Sequence, residues 1–170
     1  GAVLNRFEQF DLTKTHNCTL FNIQKAFKLW IENNPNAIET LYIPKKFIIH
    51  QTEIFKEIRS KRHLFLSQKA FHTFRGYAHA QKNRLDKLNE DINQNKKRLD
   101  DFYNLGYDSK QAMHCLRLQK QCLEILNNHQ FNVNREGIDA DFLKEVRIGK
   151  YNKTEILEMI DELDKQLEEA

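Results

Sequence analysis

The sequence predicts a mainly α protein, a helical bundle with one short strand near its N-terminus. Three observations lead there. Five Gly and two Pro in 170 residues are too few turn formers for a many-stranded sandwich or barrel. Twelve Phe, five Tyr and a 40% hydrophobic content exclude a disordered chain. Apolar residues recur at three- and four-residue steps over long stretches, the period of a helix with one buried face. A chain of this length buries roughly 70% of its extended-chain surface on folding, so it needs no disulfide or metal staple. Residues 1–170 read as one helical domain, with 1–22 a strand or remnant of another unit and 23–170 the helical region.

The elements follow in order. Asn17-Cys18-Thr19-Leu20-Phe21 alternates and suits the strand. Asn22 can cap the next helix, although Lys25 occupies the place where a capping box carries Glu or Gln. Ile23, Ala26, Phe27 and Trp30 give that helix its apolar face, and Asn33-Asn34-Pro35-Asn36 breaks it. Ala37 to Tyr42 makes a short helical turn before Pro44. A helix from about Gln51 to Arg59 presents Ile54, Phe55 and Ile58, and the cations at its end suit the negative pole of a helix. Leu64, Phe65 and Leu66 read as buried, and Ser67 as the cap of a long helix with Phe71, Phe74 and Ala78 on one stripe. Leu85, Leu88, Ile92, Leu99 and Phe102 continue in a coiled-coil-like seam, too short for a true coiled coil and better explained by an antiparallel helix pair. Gly106 turns the chain, and Asp108 or Ser109 caps the clearest helix, Lys110 to His129, whose stripe is Ala112, Cys115, Leu116, Leu123 and Leu126. A loop with Gly137 leads to a helix from about Asp139 to Arg147. The final helix carries Ile156, Met159, Ile160, Leu163 and Leu167, with Glu155, Glu158, Asp161, Glu162 and Asp164 as a solvated face.

The charge balance excludes some functions. Lys+Arg 27 against Asp+Glu 24 gives a net charge of +3, which does not make the whole surface a polyanion trap but leaves room for a local basic site. Three cysteines cannot form a closed disulfide set, and no Cys-x-x-Cys or Cys/His ligand spacing occurs. Cys115 and Cys122, seven apart, read as buried thiols in one stripe. No apolar run reaches the roughly 18 residues of a membrane span, and no signal peptide is recognisable. The expectation is a cytoplasmic protein without membrane contact. The chain opens Gly1-Ala2 without an initiator Met, as a tag scar or an excised fragment would.

The most informative constellation is Lys110, His114, Arg117 and Gln121, where steps of four, three and four put all of them on one side of a helix. Such a row suits phosphate groups, because Arg binds them bidentately and Lys neutralises them as a point charge. An ordinary wet face opposite the apolar stripe is the alternative. His72, Arg75 and His79 form a second candidate beside Gly76, a residue that costs helix stability unless something approaches closely or another helix packs there. No phosphate-cradling Gly-rich loop, Gly-x-Ser-x-Gly elbow or His-Glu-x-x-His occurs.

Four segments in succession carry a family resemblance: Asn34-Pro35-Asn36-Ala37-Ile38-Glu39-Thr40-Leu41, His63-Leu64-Phe65-Leu66-Ser67-Gln68-Lys69, Phe74-Arg75-Gly76-Tyr77-Ala78-His79-Ala80-Gln81, and Gly106-Tyr107-Asp108-Ser109-Lys110-Gln111-Ala112-Met113-His114 with Arg117. Asp139-Ala140-Asp141-Phe142-Leu143 and Arg147-Ile148-Gly149-Lys150-Tyr151 agree in the last third. Together they resemble nucleotidyltransferases of the polymerase-β superfamily, in the RNA-repair-associated branch of bacteria and phages, from about Asn17 onward. The resemblance implies a two-part enzyme. An upstream α/β core would carry a Gly-Ser motif and an Asp-x-Asp pair, and the helical region would complete the nucleotide pocket. The paired carboxylates would hold the two Mg²⁺ ions that activate a hydroxyl and stabilise leaving pyrophosphate. No Gly-Ser followed by Asp-x-Asp occurs here, and Asn17-Cys18-Thr19 stands where the family shows Asp-x-Thr.

The strand is then what remains of an α/β core, and the expectation is no catalytic residue in this chain. Cofactors are none for the chain alone, and Mg²⁺ with a nucleoside triphosphate if a core is present. Lys110, His114 and Arg117, which the resemblance also places together, are expected to contact phosphates of a nucleotide or RNA, with Arg75 and His79 nearby. Three roles are consistent with this reading: the helical part of an enzyme whose core is removed or separate, a degenerate homologue acting as a binding or inhibitor module, or a protein-interaction module.

Overall fold

The computed structural model describes the backbone of residues 8–13, 16–87 and 96–170, and side chains within 21–87, 96 and 98–170. The chain is mainly helical, as its periodicity predicts. Two strands, β1 (Glu8–Thr13) and β2 (His16–Leu20), pair antiparallel with Glu8 opposite Leu20 and Asp11 opposite Asn17. The sequence reading anticipated only the second of these.

Eight helices follow among the described residues: α1 (Ile23–Ile31), α2 (Pro35–Tyr42), α3 (Glu53–Ser60), α4 (Lys69–Lys82), α5 (Lys96–Leu105), α6 (Ser109–Asn128), α7 (Ala140–Arg147) and α8 (Lys153–Glu169). Their starts are written locally. The side chain of Asn22 accepts from the Lys25 backbone N–H at 2.7 Å, and Asn34 caps α2 with Pro35 in the first helical position, where a missing N–H costs nothing. Thr52 caps α3. Asn152 and Glu155 form a complete capping box on α8. Asp108 rather than Ser109 caps α6.

Ser67 does not cap α4. Its N–H and hydroxyl are both engaged by buried Asn33, whose side chain also reaches the Phe65 carbonyl. Asn33 itself has φ 52°, a left-handed conformation that Asn tolerates better than most residues. It thereby turns α1 into α2 and pins that corner to the segment before α4. Leu64, read as buried, is 71% exposed, whereas Leu66 enters the core. Likewise Ile23 faces outward, and Leu29 takes its place beside Ala26 and Trp30. The seam ascribed to Leu85 through Phe102 is not one helix. The α4 helix ends at Lys82, Leu85 is buried in the turn that follows, and Leu88 and Ile92 lie outside the described residues.

The long helix α6 is the hub, packing most extensively against α4 and then against α8 and α7. Ala112, Cys115, Leu116, Cys122 and Ile125 of α6 meet Ala70, Phe74 and Ala78 of α4 and Ile156, Ile160 and Leu167 of α8 in one buried cluster. Small side chains on α4 let it approach α6 closely enough for the Cys122 thiol to lie 3.5 Å from the Ala70 carbonyl. The two thiols are buried as expected, and burial pushes both up to about 12. Gln119, fully within this core, donates to the Ile160 carbonyl at 2.9 Å. Gly76, by contrast, has open space where a Cβ would stand, and among the described residues no helix exploits it.

Candidate functional site

The first turn of α6 is built from the segment Gly106 to Lys110. Gly106 adopts φ +73° and ends α5. Fully buried Tyr107 then donates its hydroxyl to the Tyr151 carbonyl at 2.7 Å. The Asp108 carboxylate accepts from the Lys110 N–H at 3.0 Å and pairs with buried Arg98. Ser109 donates to the Arg147 carbonyl and accepts from the Arg147 guanidinium at 2.9 Å. The Lys110 and Gln111 N–H groups at the start of α6 are therefore satisfied by the Asp108 carboxylate.

Those side chains descend into the protein. Lys110 is exposed, His114 is half-buried, Arg117 is 24% exposed, and Gln121 is fully buried. The row is not the wet face that its spacing allows, because α2 and the loop after α6 cover its far end. Arg117 donates to Glu39 of α2 at 3.1 Å, while its buried Nε finds no hydrogen-bond partner. Burial raises the Glu39 carboxyl above its ordinary range against the opposing pull of Arg117. Gln121 donates to the Asn132 carbonyl, and its Oε1 is likewise without a partner.

His114 records the local field. Burial, reinforced by Arg117, Lys110 and Arg147 against the opposing charge of Asp108, lowers its pKa to about 4. Three cations thus gather around a half-buried imidazole that adds no charge of its own at neutral pH. Arg147 is the member that sequence reasoning left without a role, although it stands in the segment Arg147 to Tyr151.

Arg75 and His79 are not beside this row. Arg75 of α4 makes a bidentate pair with Asp164 of α8, both bonds 2.8 Å, and a further bond to Glu168. His79 lies 3.4 Å from the same Asp164, and Lys82 pairs with Asp161. Asp164 thus ties two helices together instead of standing on a solvated face, while Asp161 pairs with Lys82 and stays exposed. The Arg75 pair raises the guanidinium pKa further and holds Asp164 below the usual carboxylate range. Cys115, which feels Asp164, sits on the flank of α6 turned away from Lys110 and Arg117. The five expected residues therefore separate into two groups, Lys110, His114 and Arg117 on α6 and Arg75 with His79 on the α4–α8 seam.

No group of three or more His, Cys, Asp or Glu among the described residues could hold a metal ion. The pair Asp139 and Asp141 is engaged by cations, Asp139 by Arg135 at 2.7 Å and Asp141 by Lys144 at 2.9 Å. No helix among them is long and apolar enough to cross a membrane.

The described residues form a helical bundle around one long helix, with cations gathered at that helix's first turns. The chain belongs to the RNA repair pathway DNA polymerase beta family, whose model matches residues 8–169. No curated protein and no solved structure matches it.

Proposed function

We propose that this chain is the helical, nucleotide- or RNA-binding part of a polymerase-β-like nucleotidyltransferase, not catalytic by itself. In this reading residues 1–170 act as one helical domain, with 1–22 a remnant or strand of the catalytic core, in the cytoplasm of a bacterium or in a phage-infected cell. The observation that carries it is the gathering of Lys110, His114, Arg117 and Arg147 about the first turns of α6. Such a cluster attracts phosphate, and a neutral imidazole can donate one hydrogen bond without adding charge. Arg75 and His79 support the site only from a distance, by fixing α4 against α8. In this reading the metal and its nucleoside triphosphate belong to a separate core, and no group of three or more metal-binding side chains stands among the described residues.

Binding of ATP and of a single-stranded RNA to the purified chain tests it. Lys110→Glu should weaken binding about tenfold or more through loss of a phosphate contact and repulsion. Unchanged affinity in the folded variant would overturn the assignment of this face. With Mg²⁺, labelled nucleoside triphosphates and RNA or protein acceptors, the chain should transfer nothing above background. Robust transfer surviving repurification would sink the non-catalytic clause.

A second reading, a degenerate homologue acting as a binding, inhibitor or protein-interaction module, has one observation in its favour. Helices α1 and α3 leave Ile23 61% and Ile54 74% exposed, near an apolar cavity of about 310 Å³ lined by Phe21, Trp30 and Phe55. A folded chain with no affinity for ATP or RNA, yet held by a family core through that surface, would replace the first reading with this one.

A further inference from the structure

A second concentration of positive charge lies on residues that the α6 reading does not use. The 3₁₀ turn Lys45–Phe47, helix α3 and the turn after it enclose a cavity of about 440 Å³ lined by Lys45, Gln51, Lys56, Arg59, Ser60 and Arg62. That volume falls within the range of small-molecule and cofactor sites. Arg59 is the fixed member. It is only 9% exposed, and three bonds aim its guanidinium, to the Leu41 and Ile43 carbonyls and to Gln51 Oε1 at 3.1, 2.5 and 3.3 Å.

No carboxylate among the described residues forms an ion pair with Arg59, Lys45 or Arg62; only Lys56 has one, with Glu53. Burial and the charge of nearby Arg62 both lower the Arg59 pKa from its ordinary value, which states the same imbalance. The bonds from Arg59 to the end of α2 give it a structural task, and the helix pole there offsets about half of one charge. That accounts for the orientation of Arg59. It leaves Lys45 and Arg62 without a carboxylate partner among the described residues, Arg62 being held by the Arg59 carbonyl at 3.0 Å and the face of the Tyr42 ring. Burying a guanidinium without a counter-ion is costly, and an anionic ligand removes the cost.

We propose that this cavity binds phosphate esters, with Arg59 as the oriented donor and Lys45, Lys56 and Arg62 as the surrounding charge. Phosphate is the matching chemistry because it places dense negative charge and several acceptor oxygens within one small volume, where a carboxylate offers one charge. A free nucleotide and the backbone of RNA both present it. The site is separate from Lys110, His114 and Arg117 and stands on its own residues.

The full chain carrying Lys45→Glu and Lys56→Glu tests the proposal, since both side chains are exposed and their replacement leaves the Arg59 bonds intact. The probes are ATP and a single-stranded RNA without a terminal phosphate, each titrated at several salt concentrations on chains that also carry Lys110→Glu, so that binding at α6 does not mask the cavity. The expected result is at least about a tenfold loss of affinity for one or both. For RNA, the slope of log affinity against log salt should flatten by about 1.4, at about 0.7 for each lost contact on a single strand. Loss confined to ATP assigns the site to a nucleotide, and loss confined to RNA assigns it to the backbone. Unchanged affinity for both in the folded variant overturns the proposal, even where Lys110→Glu still weakens binding. Equal or tighter binding of a poly-glutamate peptide, or no binding of either probe by the unaltered chain, also overturns it. Arg62→Gln is the second variant and should reproduce the direction of the effect.

Discussion

The α4–α8 seam and the first turns of α6 contain the same residue types and have opposite electrostatics. On the seam, Arg75, His79 and Lys82 face Asp161, Asp164 and Glu168, so positive charge is spent on holding helices together. At the start of α6, Lys110, His114, Arg117 and Arg147 crowd together, and Glu39, Asp101 and Asp108 each answer only part of the field. Both regions contain an Arg and a His four or three residues apart on a helix. What separates them is the counter-charge, delivered by chain 89 residues away for Arg75 and 78 residues away for Arg117. A basic helix face becomes a ligand surface or a structural seam according to what packs against it.

Four experiments would break or sharpen this contrast. Arg117→Glu should have the largest effect on stability, about 2–3 kcal/mol by denaturant unfolding, because it sets a second half-buried carboxylate against Glu39. The sequence alone treats Arg117 as a surface cation whose reversal changes stability by no more than about 0.5 kcal/mol. A near-neutral result would restore that view. The pH dependence of His114 comes next. Its folded pKa of about 4 lies below the ordinary 6.5, so at neutral pH its neutral state adds no penalty. As pH falls from about 6.5 to 4, the unfolded chain takes up a proton that the folded chain resists, and stability drops. With allowance for its partial exposure, the drop should be about 2 kcal/mol and should vanish in His114→Gln. Equal acid sensitivity in both proteins would show that burial and the surrounding cations do not hold the His114 pKa down.

Asp164→Asn should cost about 1 kcal/mol, since the Arg75 pair is only partly buried and Glu168 still holds one guanidinium nitrogen. Thermal unfolding checks this, and loss of RNA binding without loss of stability would move Arg75 from the seam to the site. The smallest effect belongs to Gly76→Ala, which should stabilise by about 0.5–1 kcal/mol because open space lies where the methyl group would go. Destabilisation would mean that something does approach that glycine.

What was legible in the sequence was local. Asn22 and Asp108 stand immediately before their helices and cap them through bonds spanning two or three residues, so a short window contains the whole cause. The α6 stripe and its buried thiols were equally readable, because periodicity is also a local property. Ser67 shows where this ends. It has the residue type and position of a cap, yet Asn33, 34 residues upstream, takes its hydroxyl. Lys110, His114 and Arg117 do share a side of α6, as their spacing requires. Their grouping with Arg75 and His79 did not follow, because nothing near Arg75 in sequence announces Asp164. Gln121 sits in the same row and is fully buried because the loop reaching Asn132 folds over it. The cavity around Arg59 escaped for a related reason. Its cations were read as helix-end charges, and only the fold brings Lys45 around to meet them.

The position of α6 has a consequence for motion. Its central residues are wrapped by α4, α7 and α8, with Cys115, Leu116, Gln119 and Cys122 at or near zero exposure. An amide there cannot meet solvent through fraying, since several neighbours must leave before its hydrogen bond opens. Hydrogen–deuterium exchange should therefore find the slowest amides from about Cys115 to Cys122, with protection near the global unfolding free energy. The 3₁₀ turn at Lys45–Phe47, flanked by exposed Ile49 and Phe47, should exchange far sooner. The two charge-rich regions should thus exchange on very different clocks, the α6 cluster with the most deeply buried helix and the Arg59 cavity with the exposed turn beside it.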